Sequence, residues 1–211
     1  MPATRVLQLE ERQEVLVQAF VEAADRGQLL IFPTDTVYGL GVRADSLSAV
    51  RRLYEAKGRP AGLPLPLLTG DRDRLAEVVS AWPEAAERLA AAFWPGPLTL
   101  VLARHPRVPA LVTGGRDTVG VRMPAQEALL TWLQACPFPL AVSSANLSGE
   151  PEAVTVKQIP VEVLAAASLV LDGGPCSGGR PSTVVDLTGP APRILRPGPI
   201  SEDQIRECLR S

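Results

Sequence analysis

The sequence predicts a single α/β domain built on a large, twisted, mixed sheet with helices on its faces. Short apolar runs such as 29–33, 98–103 and 140–143 alternate along the chain with segments of helical spacing. Hydrophobic residues make up 46% of the 211 residues and aromatic residues only 4%, which requires an aliphatic core. No internal repeat and no low-complexity linker divides the chain.

The first quarter of the chain alternates helix, strand and helix. Residues 10–26 place apolar side chains on one helical stripe, and Gly27 supplies the stop. The apolar run at 29–33 predicts a buried strand. A second helix is predicted over 46–57, where Gly58 is the kind of residue that commonly ends a helix.

The same alternation continues to the end of the chain. Two prolines exclude a helix from the extended apolar piece at 63–68, and residues 104–117 form a loop between two strands. Further helices are predicted over 71–80, 83–93, 126–135, 160–167 and 201–210, and further strands over 98–103, 118–122, 140–143, 169–171, 183–187 and 193–196.

Charge and composition argue against several classes of protein. The formal net charge is −2, so the surface as a whole does not attract nucleic acid. No run of roughly 18 apolar residues predicts a membrane span. The N-terminus, Met1 to Arg5, lacks the apolar segment of a secretory signal. We therefore expect a cytoplasmic protein with no membrane partner.

Metal and nucleophile chemistry find little support in the sequence. Cys136, Cys176 and Cys208 are far apart and form no Cys-x-x-Cys pair, which argues against a zinc site and against a disulfide framework. His105 is the only histidine and stands in a predicted loop, so neither a histidine-based triad nor a histidine metal site is expected. The common glycine motifs for phosphate binding and for a nucleophile elbow are absent from the sequence.

The densest group of polar residues follows the first buried strand. Residues 32–41 read Phe-Pro-Thr-Asp-Thr-Val-Tyr-Gly-Leu-Gly. A buried core does not require that polarity, whereas a site for a small polar ligand does, because loops that follow strands hold side chains on a rigid frame. The segment therefore predicts a binding site at the end of this strand.

Other basic and polar residues stand near the ends of later elements. Lys57 and Arg59 flank Gly58, and only Lys57 and Lys157 are lysines among the 21 basic residues. The remaining candidates are Arg122, Ser143, Ser144, Asn146, Arg180, Ser182, Thr183 and Arg196. If these strands share one sheet, one rim of the sheet gathers the cations and hydroxyls on a concave, basic surface. Such a surface suits polyphosphate and carboxylate groups, and would act by positioning and charge stabilisation rather than through a covalent nucleophile.

Seven blocks of the sequence resemble, in order and spacing, the YrdC-like threonylcarbamoyl-AMP synthase family. The blocks are 33–41 (Pro-Thr-Asp-Thr-Val-Tyr-Gly-Leu-Gly), 57–60 (Lys-Gly-Arg-Pro), 94–99 (Trp-Pro-Gly-Pro-Leu-Thr), 120–124 (Gly-Val-Arg-Met-Pro), 143–149 (Ser-Ser-Ala-Asn-Leu-Ser-Gly), 181–184 (Pro-Ser-Thr-Val) and 196–198 (Arg-Pro-Gly). Each block alone is only weakly specific for the family, whereas the ordered set is highly specific and extends over nearly the whole chain.

The resemblance implies an enzyme that makes threonylcarbamoyl-AMP and pyrophosphate from L-threonine, bicarbonate and ATP. The product serves the modification of the adenosine beside the anticodon of tRNA. Magnesium would enter with ATP, bound through phosphate oxygens and water rather than by a site built from protein ligands. The implied macromolecular partners are tRNA or double-stranded RNA and the proteins that transfer the threonylcarbamoyl group to tRNA.

The resemblance also assigns roles to nine residues. The family's Lys-x-Arg and Ser-x-Asn signature, a catalytic group, falls on Lys57, Arg59, Ser144 and Asn146, and Lys57 would help to neutralise phosphate or carboxylate charge. The residues that would contact threonine or its carboxylated form are Thr36, Arg122 and Ser182. The residues that would bind ATP are Arg59, Thr118, Ser144 and Arg196.

Some features depart from the family, and two alternatives stay open. Some relatives carry a polar residue where this chain has Leu63 and a histidine where it has Leu68, so those contacts do not carry over. Longer relatives add a C-terminal domain after a linker, and this chain resembles the short form, with residues 1–211 as one YrdC-like domain. The alternatives are a paralogue of the same fold that acts on another substrate, and an RNA-binding module that holds double-stranded RNA or tRNA.

Overall fold

Ten strands form one continuous mixed sheet in the computed structural model, which describes residues 4–210. The strands are β1 (Arg5–Gln8), β2 (Leu30–Phe32), β3 (Gly39–Arg43), β4 (Leu67–Leu68), β5 (Leu98–Ala103), β6 (Thr118–Arg122), β7 (Leu140–Ser144), β8 (Leu169–Asp172), β9 (Thr183–Asp186) and β10 (Arg193–Arg196). Their order across the sheet is β1-β8-β2-β3-β7-β4-β6-β5-β9-β10. Four neighbouring pairs are parallel, namely β1 with β8, β8 with β2, β4 with β6 and β5 with β9.

Six α-helices accompany these strands within residues 4–210. They are α1 (Gln13–Asp25), α2 (Leu47–Ala56), α3 (Glu84–Phe93), α4 (Glu127–Ala135), α5 (Val161–Ala166) and α6 (Glu202–Arg210), and short 3-10 helices lie at Asp73–Glu77 and Val156–Gln158. None of the helices within residues 4–210 has the length and apolarity needed to cross a lipid bilayer.

The helices cover the two faces of the sheet unequally. On the first face, α2, α3, α5 and α6 contribute side chains such as Leu53, Leu89 and Ile205 to one large core. On the second face, α1 and α4 form a separate core over β1, β8, β2, β7 and β4. There the Phe20 ring lies 5.7 Å from Phe32 and 5.4 Å from Trp132. No residue of β5, β6, β9 or β10 belongs to the α1–α4 core.

The second face is therefore left open over these four strands. Side chains alternate between the faces of a strand. Val119 and Val121 of β6 enter the first core, so Thr118, Gly120 and Arg122 point to the opposite, open face. The same alternation places Thr99 and Val101 of β5, Val184 of β9, and Arg193 and Leu195 of β10 on that face. Arg196 also lines the pocket, because the register of β10 shifts between Ile194 and Arg196.

The structure confirms the predicted α/β class and mixed sheet, and it corrects three elements. The strands β1 and β3 were not predicted, and the helix expected over 71–80 is only the 3-10 helix at Asp73–Glu77. The residues of β3 include Gly39 and Gly41, which weaken a strand signal. Glycine is required at both positions by a tertiary contact, because a Cβ on either residue would lie 2.9 Å from the Phe32 ring.

Candidate active site

A pocket of about 830 Å³ lies on the open half of the second sheet face. All nine residues that the sequence analysis assigns to a site line this pocket, namely Thr36, Lys57, Arg59, Thr118, Arg122, Ser144, Asn146, Ser182 and Arg196. Ser143 lines it as well. The structure thus brings the assigned residues together, although their roles remain a prediction.

The pocket lies across a sheet face, and the expectation of a site on one rim was wrong. Thr118 and Arg122 stand at opposite ends of β6 and both reach the pocket. Lys57 and Arg59 follow the end of α2 rather than the end of a strand. Two further candidates do not line the pocket: Arg180 is exposed, and Thr183 is buried with its hydroxyl donating to the carbonyl of Ile200. Alternation along β6 selects Thr118 and Arg122, whereas Thr36, Asn146 and Ser182 reach the pocket from loops beside strands.

Arg122 is held by three acceptors of the protein itself. Its Nε donates to the carbonyl of Gly96 (3.0 Å), its Nη1 to Thr36 Oγ1 (3.1 Å) and its Nη2 to Asp35 Oδ1 (2.6 Å). The side chains of Arg122 and Asp35 are only 8% and 13% exposed. Burial lowers the pKa of Arg122, while the charge of Asp35 opposes that shift. The sequence alone does not assign a role to Asp35, because its partner Arg122 lies 87 residues away.

Ser182 is fixed between two pocket side chains. Its Oγ lies 2.8 Å from Thr99 Oγ1 and accepts a hydrogen bond from Arg196 Nη2 at 3.1 Å. Arg196 also donates from Nε and Nη2 to the backbone carbonyl of Ser182. Thr99 was not among the site candidates, although a hydroxyl in the otherwise apolar strand β5 is the kind of break in polarity that could have identified it.

Lys57 anchors the loop that carries Ser144 and Asn146. The residue is 2% exposed, and its ammonium donates to the backbone carbonyls of Ser144 and Asn146 and to Asn146 Oδ1. Its own carbonyl accepts from the amide of Ser148 at 2.9 Å. Burial, and then the charge of Arg59, lower the pKa of Lys57 to about 8. Three N–H donors meet three protein oxygens, so this ammonium acts first as an internal anchor.

Positive charge dominates the wall of the pocket. Six cationic side chains line it, namely Lys57, Arg59, Arg116, Arg122, Arg193 and Arg196, against the two carboxylates of Glu150 and Glu152. Burial lowers the pKa of Arg196; the charge of Glu152 opposes this shift, whereas the charges of Arg122 and Arg59 add to it. Such mutual repulsion among cations is relieved by a bound polyanion.

An apolar strip on the sheet separates these cations. Gly120, Val101, Val184 and Leu195 come from four adjacent strands and all line the pocket. A Cβ on Gly120 would lie 3.2 Å from the methyl group of Thr99. Because Gly120 has no side chain, the pocket is deeper between Thr118 and Arg122. Apolar surface beside forked cations is the combination expected for a nucleotide or another ligand with both a ring and anionic groups.

Comparison with known proteins identifies the family. A family model described as "Telomere recombination" (Sua5_yciO_yrdC) matches residues 22–198. The chain belongs to the Sua5/YciO/YrdC family. Threonylcarbamoyl-AMP synthase of Pyrococcus abyssi is 41% identical over 207 residues, which cover 98% of this chain and 61% of that protein. The putative threonylcarbamoyl-AMP synthase of Mycobacterium tuberculosis is 41% identical over 200 residues, which cover 95% of this chain and 91% of that protein.

Solved structures of the family share the fold. The crystal structure of P. abyssi Sua5 complexed with L-threonine superposes with a TM-score of 0.93 at 40% identity, covering 98% of this chain and 61% of that one. Escherichia coli YciO superposes with a TM-score of 0.81 at 27% identity, covering 94% of this chain and 97% of that one. The chain thus spans about three fifths of the length of the P. abyssi relative and nearly all of YciO. The family resemblance expected from the sequence is confirmed.

Proposed function

We propose that this protein is a threonylcarbamoyl-AMP synthase, a cytoplasmic nucleotidyltransferase formed by one YrdC-like domain. It makes threonylcarbamoyl-AMP and pyrophosphate from L-threonine, bicarbonate and ATP, for the modification of adenosine beside the anticodon of tRNA. The observation that carries the proposal is the convergence of the nine assigned residues on one cationic pocket. Its support is the 41% identity to a protein named for this activity, together with a relative whose structure holds L-threonine.

The pocket offers separate surfaces for the two larger substrates. Thr36, Arg122 and Ser182 form the amino-acid end, where the hydroxyl of Thr36 contacts the buried guanidinium of Arg122. Residues for the nucleotide are Arg59, Thr118, Ser144 and Arg196, and the apolar strip beside them suits the base. Lys57 and Asn146 keep the Ser144 loop in place.

The chemistry needs positioned charge and no protein nucleophile. The amino nitrogen of threonine attacks the carbon of bicarbonate, and water leaves to give a carbamate. A carbamate oxygen then attacks the α-phosphorus of ATP, and the bond to the β-phosphate oxygen breaks, releasing pyrophosphate. Arg59 and Arg196 would hold the negative charge that shifts onto the leaving pyrophosphate, because fixed cations stabilise such charge without reorganisation.

The donor set of the pocket fits magnesium that arrives with ATP. Glu150 and Glu152 are the only carboxylates that line the pocket, and within residues 4–210 no cluster of three or more His, Cys, Asp or Glu side chains forms a metal site. Magnesium commonly keeps water and substrate phosphates as ligands and takes few protein ligands. Bound in this way, it would supply charge neutralisation at the phosphates.

The test is detection of the product by mass spectrometry. The purified protein is incubated with L-threonine, bicarbonate and magnesium–ATP, and the same mixture lacking threonine is the control. We expect a threonine-dependent adenylate and pyrophosphate. ATP turnover that does not depend on threonine would favour a paralogue with another substrate. RNA binding with a steep salt dependence and no turnover would favour the RNA-binding module.

A further inference from the structure

The buried ammonium of Lys57 has no carboxylate among its three acceptors. They are all amide oxygens, namely the backbone carbonyls of Ser144 and Asn146 and, at 3.3 Å, the side-chain Oδ1 of Asn146. Burying a charge is costly unless the charge is paired and hydrogen-bonded. Here amide dipoles compensate the charge, in the way that rings of carbonyl oxygens hold potassium ions in channels.

These oxygens belong to one short turn, residues 144–150, that closes around the ammonium. Asn146 Nδ2 donates to the carbonyls of Leu147 at 2.9 Å and Glu150 at 2.6 Å, which directs Oδ1 of the same amide toward Lys57. Without a cation between them, the partial negative charges of three convergent oxygens would repel each other. The turn therefore has the ligands of a site for a small cation.

The number of donors determines what Lys57 can bind. An ammonium has three N–H groups, and all three are directed to oxygens of the turn. None is left for a phosphate oxygen, although Lys57 lines the pocket. Its bonds instead hold the backbone of Ser144, and its own carbonyl accepts from the amide of Ser148 at 2.9 Å. Lys57 is thus attached to the turn at both of these residues.

We propose that the turn 144–150 is a binding site for an ammonium-sized monovalent cation, that the head of Lys57 occupies this site as a tethered cation, and that Lys57 is a positioning residue for Ser144 rather than a phosphate ligand. The role in the reaction rests on the proposed function, since it takes Ser144 to contact ATP. The cation site does not depend on that function.

The cation site is tested in the protein without substrates. Lys57→Met removes the ammonium and keeps most of the stem, so that one free ammonium ion has room between the oxygens. Melting temperatures at pH 7 are compared in ammonium chloride and in tetramethylammonium chloride, whose cation has no N–H group, at equal ionic strength. We expect ammonium to raise the melting temperature of Lys57→Met by about 2–4 °C over the difference that the wild type shows between the two salts, and to do so in a saturating manner.

Arg52→Met is the matched control. Arg52 lies on the same helix α2, donates to the single carbonyl of Gly27 and does not line the pocket; its salt difference should equal that of the wild type. If Lys57→Met does not fold without added cation, its recovery from urea in the two salts, followed by circular dichroism, gives the same comparison. A salt difference in Lys57→Met no larger than that of the wild type would overturn the cation site.

The positioning role is tested by a double-mutant cycle on the affinity for magnesium–ATP, measured by calorimetry. Lys57→Met should weaken ATP binding about tenfold in the wild-type background, and about twofold or less once Ser144→Ala has removed the hydroxyl that the turn positions. Thr118→Val is the reference background, because Thr118 lies on β6, two strands away from β7 in the sheet. There the loss of about tenfold should persist.

The outcomes distinguish this inference from the proposed function. A loss of about tenfold that persists in the Ser144→Ala background would overturn the positioning role and return Lys57 to the phosphate ligands. Failure of the wild type to bind ATP would instead count against the proposed function, and the melting temperatures in the two salts would still decide the cation site.

Discussion

Arg122 and Asp35 form a buried ion pair, with Nη2 and Oδ1 2.6 Å apart, although 87 residues separate them in the sequence. The pair joins the end of β6 to the loop between β2 and β3, so that two polar segments distant in the sequence are in contact at the pocket. Arg122 donates one N–H group to Asp35 and two others to the carbonyl of Gly96 and the hydroxyl of Thr36. The guanidinium is thus oriented before any ligand arrives, which is the condition for electrostatic preorganisation.

Loss of the Asp35 charge should destabilise the fold strongly. Asp35→Asn leaves Arg122 buried without its counter-charge, and breaking one partner of a buried pair costs about 3–5 kcal/mol. Asp45→Asn is the control, since Asp45 pairs with Arg43 at the surface, where about 1 kcal/mol or less is expected. Urea unfolding of both variants measures the difference. Equal losses of unfolding free energy in the two variants would contradict the prediction that the buried Asp35–Arg122 pair contributes more stability than the surface Asp45–Arg43 pair.

The pH dependence of stability should report the buried ammonium of Lys57. Its pKa is lowered from 10.5 to about 8 in the folded protein. Between these values the unfolded chain binds a proton that the folded chain does not, so this residue raises the free energy of unfolding as pH increases. Below pH 8 both states are protonated and the contribution is constant.

Lys57→Met isolates this contribution. The difference in unfolding free energy between the wild type and Lys57→Met should move in favour of the wild type from about pH 8 to 10, and it should be flat from pH 6 to 7. Urea unfolding at each pH measures it. A difference that stays constant up to pH 10 would mean that Lys57 titrates as an exposed lysine.

Periodicity in the sequence predicted most of the scaffold, and tertiary contacts account for what it did not predict. The helix α1 and strands such as β5 carry their own apolar pattern. The strand β3 does not, because Gly39 and Gly41 are set by the ring of Phe32 rather than by strand propensity. The assigned site residues were found through family blocks. Asp35 could be recognised only from its contact with Arg122 in the fold, whereas Thr99 also carries a weak sequence signal as the one hydroxyl in the apolar strand β5.

Thr99 and Ser182 should behave as one unit. Each of Thr99→Val and Ser182→Ala removes the same 2.8 Å contact, so each should cost about 1 kcal/mol of stability and the double variant clearly less than the sum. Ser182→Ala combined with Thr4→Val is the control, because Thr4 bonds to Ala167 beside the opposite edge strand β1, and those effects should add. A double-mutant cycle by thermal or urea unfolding measures both. Additive losses for Thr99 and Ser182 would contradict the coupling.

Glu152 should weaken the binding of ATP. It is exposed and lines the pocket, where its charge acts on Lys57 and Arg196. Under the proposed function, Glu152→Gln removes a negative charge from the pocket that would hold the triphosphate, so KM for ATP should fall about two- to fivefold at low salt. The effect should shrink as salt screens it. Glu162→Gln, at the start of α5 and outside the pocket lining, should leave KM unchanged. A KM that rises in Glu152→Gln would instead assign this carboxylate to holding the nucleotide.

Thr36 should determine how well threonine is used, through one hydroxyl. Its Oγ1 accepts from the charged Arg122 and lines the pocket where the proposed function places the amino acid. Thr36→Val keeps the shape and removes a hydrogen bond to a charged group, worth roughly 1.5–3 kcal/mol, so kcat/KM for threonine should fall about tenfold or more. Thr36→Ser keeps the hydroxyl and should stay within about threefold of the wild type. Initial rates and melting temperatures are measured side by side. If Thr36→Val lowers the melting temperature and leaves the threonine kinetics intact, the hydroxyl only supports the turn after Pro33, and Thr36 belongs to the scaffold.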